Sequence, residues 1–336
     1  MKARWEDLAT RARGLATHLL TRADVTALAT VPDLAALGDA LRARGFPLAE
    51  GTPTADGLEL AVRRAAGARL WLLTRWAGVR NPLLAVILDD EDRRSIRALV
   101  RGAVQGAVAE MRLAGLVPTP TLPERALTVL AGQPTPRAVA ALLTAWGNAF
   151  GPALLRATQV TQPDLLEIEH CLSRSFADRA LRGARAAGSQ VLLDYVRETI
   201  DLENANAALV LAGAERDGAA KGAFVGGGRT LSLAAFLEAI AEGAGAARRL
   251  AAAFHGSELA TAFERWGADP AQIEEQLLRR RIARLRGLAR RDPAGPASVL
   301  EFALRLRAEI LDLRRVIWGV ALDAPRGALA EASVTA

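Results

Sequence analysis

An acidic residue, two further residues, a small polar residue and then an apolar one recur three times in this chain. The occurrences are Asp92-Arg-Arg-Ser95-Ile96, Asp201-Leu-Glu-Asn204-Ala205 and Glu309-Ile-Leu-Asp312-Leu313, at intervals of 109 and 108 residues. Such spacing constrains the fold more than any single motif, because whatever structure one copy adopts must be compatible with two others in the same chain. Further columns keep the period: Leu58-Glu59, Leu166-Glu167 and Ile273-Glu274 at 108 and 107; Leu34, Leu142 and Leu250 at 108 and 108; Leu19, Leu127 and Phe236 at 108 and 109. Solenoid repeats run to about 20–50 residues, so a unit of this length is a small subdomain in its own right.

The 336 residues divide into repeats 1–108, 109–216 and 217–322, followed by a tail at 323–336. Each repeat falls within the usual domain size of roughly 100–200 residues. Hydrophobic residues make up 51% of the chain and aromatics only 4%. The apolar content is thus mostly Ala, Leu and Val, which favours helix packed on helix over sheets rich in aromatic and β-branched residues. The expected fold class is all-α.

Within each repeat the pattern predicts short apolar helices and then two long ones. Thr21 to Asp24, Thr121 to Glu124 and Ser232 stand as capping residues before apolar periodicity, and Pro123 suits a first helical turn. Apolar stripes follow over Leu34–Leu41, Val139–Trp146 and Ala247–Phe254. The first long helix starts near Asp56, Pro163 and Asp269-Pro270 in the three copies, and the third ends near Asp292-Pro293-Ala-Gly295-Pro296. The second long helix carries the recurrent phrase.

Positions i and i+3 share a helix face. Asp92 with Ser95, Asp201 with Asn204, and Glu309 with Asp312 therefore form polar edges beside a buried seam, and Glu59, Glu167 and Glu274 form a second acidic column. Three equivalent helices could present these edges to a common centre in a pseudo-threefold arrangement.

Reactive constellations are scarce. His18, His170 and His255 lie far apart with no HExxH spacing, and Cys171 is the only cysteine, so no intramolecular disulfide and no multi-thiolate metal site can form. Gly226-Gly227-Gly228-Arg229 lacks the Gly-Lys-(Ser/Thr) ending of a phosphate loop and reads as a flexible connector. No catalytic, cofactor or metal site is expected. The net charge of +6 comes almost wholly from Arg, with Lys only at positions 2 and 221. It permits an acidic partner, but no helix-turn-helix, zinc-finger, RNP or GXXG signature points to nucleic acid. The start has no apolar leader, and the most apolar stretch, Leu70–Leu88, is interrupted by Arg75, Arg80 and Pro82. A chain that is neither secreted nor membrane-spanning is expected.

With the repeat and its phrases in hand, the chain resembles the C-type subunits of the archaeal and bacterial V-type (A-type) ATPases, which are related to the d-type subunits of the eukaryotic enzymes. Asp201-Leu-Glu-Asn204-Ala205, preceded by Tyr195-Val-Arg-Glu-Thr-Ile200, resembles the family's Asp-x-x-Asn repeat. Arg307-Ala-Glu309-Ile310-Leu-Asp312-Leu313-Arg314-Arg-Val-Ile317 resembles its C-terminal helix, with Ser95 and Asp312 where Asn is usual. The likeness runs from about Leu15 to Gly319.

The resemblance implies a funnel of three helical subdomains acting as a non-catalytic rotor socket. It would join the central-stalk subunits to the membrane proteolipid ring, in the service of ion transport. It also implies a location peripheral to the cytoplasmic face of the membrane, with no nucleic acid as partner. The arginines of the third long helix, Arg280 and Arg284 foremost, are candidates for an interface with acidic groups on a neighbouring subunit, since guanidinium pairs bidentately with carboxylate. The alternative reading is an unrelated α-helical scaffold or a nucleic-acid-binding protein.

Overall fold

The computed structural model describes residues 5–77, 81–160, 164–212, 222–257, 259–266, 270–331 and 333–335. Lys2, Arg80, Pro163, Lys221 and Asp269, all named above, lie outside these residues. The chain is all-α: among the described residues there is no strand.

Among the described residues, six long helices organise the chain, two in succession in each repeat: α4 (Ala55–Ala77) then α5 (Pro82–Val104), α10 (Leu165–Ala187) then α11 (Gln190–Ala212), and α15 (Pro270–Arg291) then α16 (Ala297–Ala321). Their lengths are closely matched, four of 23 residues and one each of 22 and 25. Short helices precede each pair: α1 (Glu6–Ala16), α2 (Arg22–Ala29) and α3 (Leu34–Ala43); α6 (Ala109–Leu113), α7 (Glu124–Ala131), α8 (Pro136–Ala145) and α9 (Gly151–Ala157); α12 (Leu233–Ala241), α13 (Ala246–Ala253) and α14 (Ala260–Trp266). A last helix, α17, spans Arg326–Glu331.

Local chemistry sets the starts. Thr21 and Asp24 form a reciprocal capping box on α2, and Asp33, Thr135, Asp164 and Ser232 each accept a first-turn amide of α3, α8, α10 and α12. Each such cap is worth about 1 kcal/mol. Helix α7 differs from expectation. Its N-cap is Pro123, which makes no side-chain cap bond, while the Thr121 hydroxyl bonds the Thr119 hydroxyl instead.

The short helices also correct the register of two columns. Leu127 and Phe236 are each the fourth residue of their helix, α7 and α12, whereas Leu19 precedes α2, whose fourth residue is Val25. Similarly Leu34 opens α3, while Leu142 and Leu250 lie well inside α8 and α13. The caps Asp33 and Thr135 are 102 residues apart rather than 108. Two helical turns take about 7 residues, so a six-residue shift does not return to the same face; the column persists in sequence because Leu and Ala are frequent along these short helices.

By packing, the chain forms two compact units. One gathers Pro82–Gly106 with Gln133–Arg280. Here α5 lies chiefly along α10, α8 also packs on α5, and α11 packs on α10, α12 and α13. Part of its core joins Phe236, Phe254, Phe263, Leu250, Ile273 and Leu277, with the rings of Phe254 and Phe263 stacked 5.3 Å apart. The other unit gathers Arg4–Asn81, Ala107–Gly132 and Arg281–Ala336. In it α16 packs against α1, α2, α3 and α4, burying Leu306, Ile310, Leu313 and Ile317 on a seam with three- and four-residue steps. Each phrase-bearing helix therefore packs on helices of another repeat: α5 on α8 and α10, α11 on α12 and α13, α16 on α2, α3 and α4.

Candidate functional site

The phrase residues are buried. Asp92 is 2% exposed, Ser95 3%, and Asp201, Asn204, Glu309 and Asp312 1% each. A buried carboxylate needs partners in proportion to the hydration it has lost, and Asp201 and Glu309 find theirs in the backbone of remote turns. Asp201 Oδ2 accepts the amides of Arg229 (2.9 Å) and Thr230 (2.8 Å), and Oδ1 accepts that of Leu231 (3.1 Å). In the other unit Glu309 Oε1 accepts the Leu20 amide at 2.8 Å, and Oε2 pairs with Arg69, which also donates to the His18 carbonyl at 3.1 Å. Leu20 and Leu231 each stand one residue before a helix N-cap, Thr21 and Ser232. Burial pushes both carboxyls above their ordinary range, Asp201 against its backbone hydrogen bonds and Glu309 against the Arg69 charge.

The small polar column holds a second segment. Asn204 clasps Val225 from both sides, Nδ2 donating to its carbonyl at 2.9 Å and Oδ1 accepting its amide at 2.8 Å. Asp312 accepts the Val334 amide at 2.7 Å, the Thr335 amide at 2.7 Å and the hydroxyls of Ser333 and Thr335 at 2.9 and 2.5 Å. The difference in residue type follows from the partner. A carboxamide suits a segment that offers one donor and one acceptor, whereas a carboxylate suits one that offers only donors.

The glycine run also differs from expectation. It is a close-packed turn, with Gly228 so near Asp201 that a Cβ would overlap the carboxylate. Gly227 has φ +107° and lies against Leu181 and Ile200. The glycines let the chain approach Asp201 closely enough to donate its amides.

The Glu column is not uniform. Glu59 is 3% exposed, accepts from the Gly115 amide and Trp318 Nε1 (2.8 Å), and forms an ion pair with Arg314 at 3.2 Å. By contrast Glu167 is exposed and pairs with Arg174 at 3.0 Å, and Glu274, also exposed, lies 3.8 Å from Arg94. Arg280 and Arg284 are half-buried on α15.

Residues between the two phrase columns matter as much as the columns. Arg93, fully buried, bonds Asp90 and Glu203 at 2.7 Å each and lies over the Phe176 ring. Arg97 reaches the same Glu203 oxygen at 2.7 Å, and Arg94 binds Asp90 at 3.0 Å. Burial opposes the Glu203 charge, but the Arg93 and Arg97 guanidiniums overcome it and hold the carboxyl well below its ordinary range. The Asp90–Arg93 and Asp90–Arg94 spacings could have flagged this cluster, but nothing in the sequence paired Arg93 with Glu203.

Among the described residues no group of three or more His, Cys, Asp or Glu is placed to hold a metal ion, and no helix is long and apolar enough to cross a membrane. Cys171 is half-buried, and burial raises its thiol pKa, which disfavours the thiolate. Successive long helices, with the carboxylates of Asp201 and Glu309 directed at the chain's own turns, define an all-α protein.

The family follows from the whole-chain comparison. The chain matches the model of the ATP synthase (C/AC39) subunit family over residues 8–331 and belongs to that family. It is thus one of the subunits of the V-type/A-type rotary ATPases, in line with the resemblance carried by the phrases. No curated protein matches the chain.

Proposed function

We propose that this protein is a non-catalytic socket in the rotor of a V-type/A-type ATPase or ATP synthase. It joins the central-stalk subunits to the membrane proteolipid ring, so that torque passes between ATP chemistry and ion movement. The observation that carries the reading is membership of the C/AC39 family across almost the whole chain. Its mechanical demand is stiffness. Helices packed at interior density, tied together at buried carboxylates, supply it. Three repeats in closed order would suit a receptacle around a shaft. The Glu309–Leu20 bond between the third repeat and the first supports that order.

On this reading the protein acts peripherally at the cytoplasmic face of the membrane, and the Arg280–Arg284 stretch meets acidic groups of a neighbouring subunit. Co-purification in mild detergent at low salt tests the assignment. The stalk subunits and the ring are expected together with this chain in stoichiometric amount by native mass spectrometry. Their absence, with a steeply salt-dependent shift on RNA or DNA, would overturn it. Charge reversal at Arg280 and Arg284 is expected to weaken assembly, and unchanged assembly and coupled pumping would remove that interface.

A further inference from the structure

Two seams between repeats share a design and differ in one respect. Between the second and third repeats, α11 holds residues 225–231, one continuous stretch: Asn204 clasps Val225, and Asp201 takes the amides of Arg229, Thr230 and Leu231. Between the third repeat and the first, α16 makes the equivalent contacts with two separate pieces of chain. Glu309 takes the amide of Leu20 from the first repeat, and Asp312 takes those of Val334 and Thr335 from the tail. The offsets match, 21 residues from Asn204 to Val225 and 22 from Asp312 to Val334. Residues 333–335 therefore fill on α16 the seat that Val225 fills on α11.

The difference is covalent continuity. When one contact of the 225–231 stretch breaks, its neighbours a few residues away hold it at an effective concentration on the order of millimolar or more, and the seam recloses. No such short link joins Leu20 to Val334, so the second seam depends on other ties. Helix α17 packs on both α2 and α16. Its exposed Arg326 donates to the carbonyls of Thr30 and Pro32 at 3.0 Å each, at the C-terminal end of α2. Leu329 is buried against Gly319, where a Cβ would overlap it. Vacating the seat would not strand its carboxylate, because Arg315, on the same helix, pairs with Asp312 at 3.2 Å.

We propose that α17 and residues 333–335 form a latch, which opens the seam between the third and first repeats as a unit while the seam at α11 stays shut. The turn at Asp323, where φ is +53°, is its hinge. Release frees the C-terminal end of α2, whose start remains fastened to Glu309 through Leu20, so α2 pivots about Leu20. All parts of the device lie within one compact unit. It does not depend on the rotor assignment.

Amide hydrogen exchange of the full chain, resolved by NMR where closing outruns exchange, tests the latch. The amides of Leu329, Val334 and Thr335 are expected to share one opening constant, about tenfold or more above those of Val225 and Leu231. Leu329→Ala should raise that constant at Val334 and Thr335 about tenfold or more, with Leu20, Val225 and Leu231 unchanged. Arg326→Ala alters an exposed side chain, which covers the case in which Leu329→Ala fails to fold, and should raise the constant roughly two- to tenfold. Three outcomes would overturn the proposal. One is equal opening constants at the two seams; another is acceleration that reaches Leu20 and Val225 equally, the mark of global unfolding. The third is Val334 and Thr335 unmoved in both variants, the mark of α17 fraying alone.

Discussion

Glu309 accepts the backbone amide of Leu20 at 2.8 Å, across 289 residues of chain. Asp201 accepts the amide of Leu231 at 3.1 Å, and both leucines stand immediately before the N-cap of an apolar helix. One acid on a long helix therefore fixes where a later or earlier short helix begins. The bond from Glu309 runs from the third repeat back to the first, the direction that continues the order seen from the second to the third.

Replacing Glu309 by Ala leaves the Leu20 amide without its acceptor and Arg69, whose side chain is 16% exposed, without its counterion. Breaking one side of a buried pair costs about 3–5 kcal/mol. Urea unfolding should register a loss near the lower figure, because Arg69 retains the His18 carbonyl. Hydrogen exchange at Leu20 should accelerate while that at Leu231 does not. Equal acceleration at the two would show that the clasp is not local.

Adjacent glycines should respond differently to one methyl group. A Cβ on Gly226 meets nothing within 4 Å, whereas one on Gly228 overlaps the Asp201 carboxylate and one on Gly227 overlaps Leu181 at a backbone φ of +107°. Gly226→Ala is therefore expected to change stability by no more than about 1 kcal/mol, in either direction. Gly228→Ala should cost roughly 1–3 kcal/mol, the scale of overpacking a closed contact. Thermal unfolding of the three single variants measures the contrast, and a flexible connector would give three equal, small effects.

Much of this was legible in the chain and some was not, for reasons that lie in the residues. The phrase columns and the all-α class came through because Asp201 and Glu309 are tied to fixed points of long helices, where spacing is preserved. Leu19 and Leu34 misled because Leu is so frequent in the chain that a column slipped by six residues still met one, whatever face it lay on. The Arg93–Glu203 pair was invisible because it joins α5 to α11, 110 residues apart, and only packing brings them together. His170 stood in the sequence only as one of three scattered histidines, and its burial, which no spacing encodes, came from packing.

The carboxylates of the compact unit containing α11 should give opposite pH dependences. Glu203 is held well below its ordinary range in the fold. Its contribution is present above the unfolded value of about 4.3 and is lost as pH falls through that value toward the folded one. The cost of Glu203→Gln should therefore be largest near neutrality and shrink in acid. Asp201 is raised by burial, so its folded form binds a proton more tightly than the unfolded chain. Stability from that group falls as pH rises from about 3.9 through the folded value, and the cost of Asp201→Asn should shrink toward neutrality instead. Urea titrations of both variants between pH 3 and 7 (about the carboxylate range) compare the slopes, and slopes of the same sign would contradict the assignment.

The Glu column separates sequence equivalence from physical equivalence most sharply. Glu59, Glu167 and Glu274 keep one spacing, yet only Glu59 is buried, with the Gly115 amide, the Trp318 indole and Arg314 directed at it. Glu59→Ala strands two neutral donors and a cation and is expected to cost about 3 kcal/mol. Glu167→Ala removes an exposed pair with Arg174, and Glu274→Ala a 3.8 Å contact with Arg94. Each should cost under about 1 kcal/mol and less still at high salt. Chemical denaturation of the three variants in low and high salt reads both the size and the screening. If the three losses were equal, the column would act through its repeat position rather than through burial, and the partners of Glu59 would be incidental.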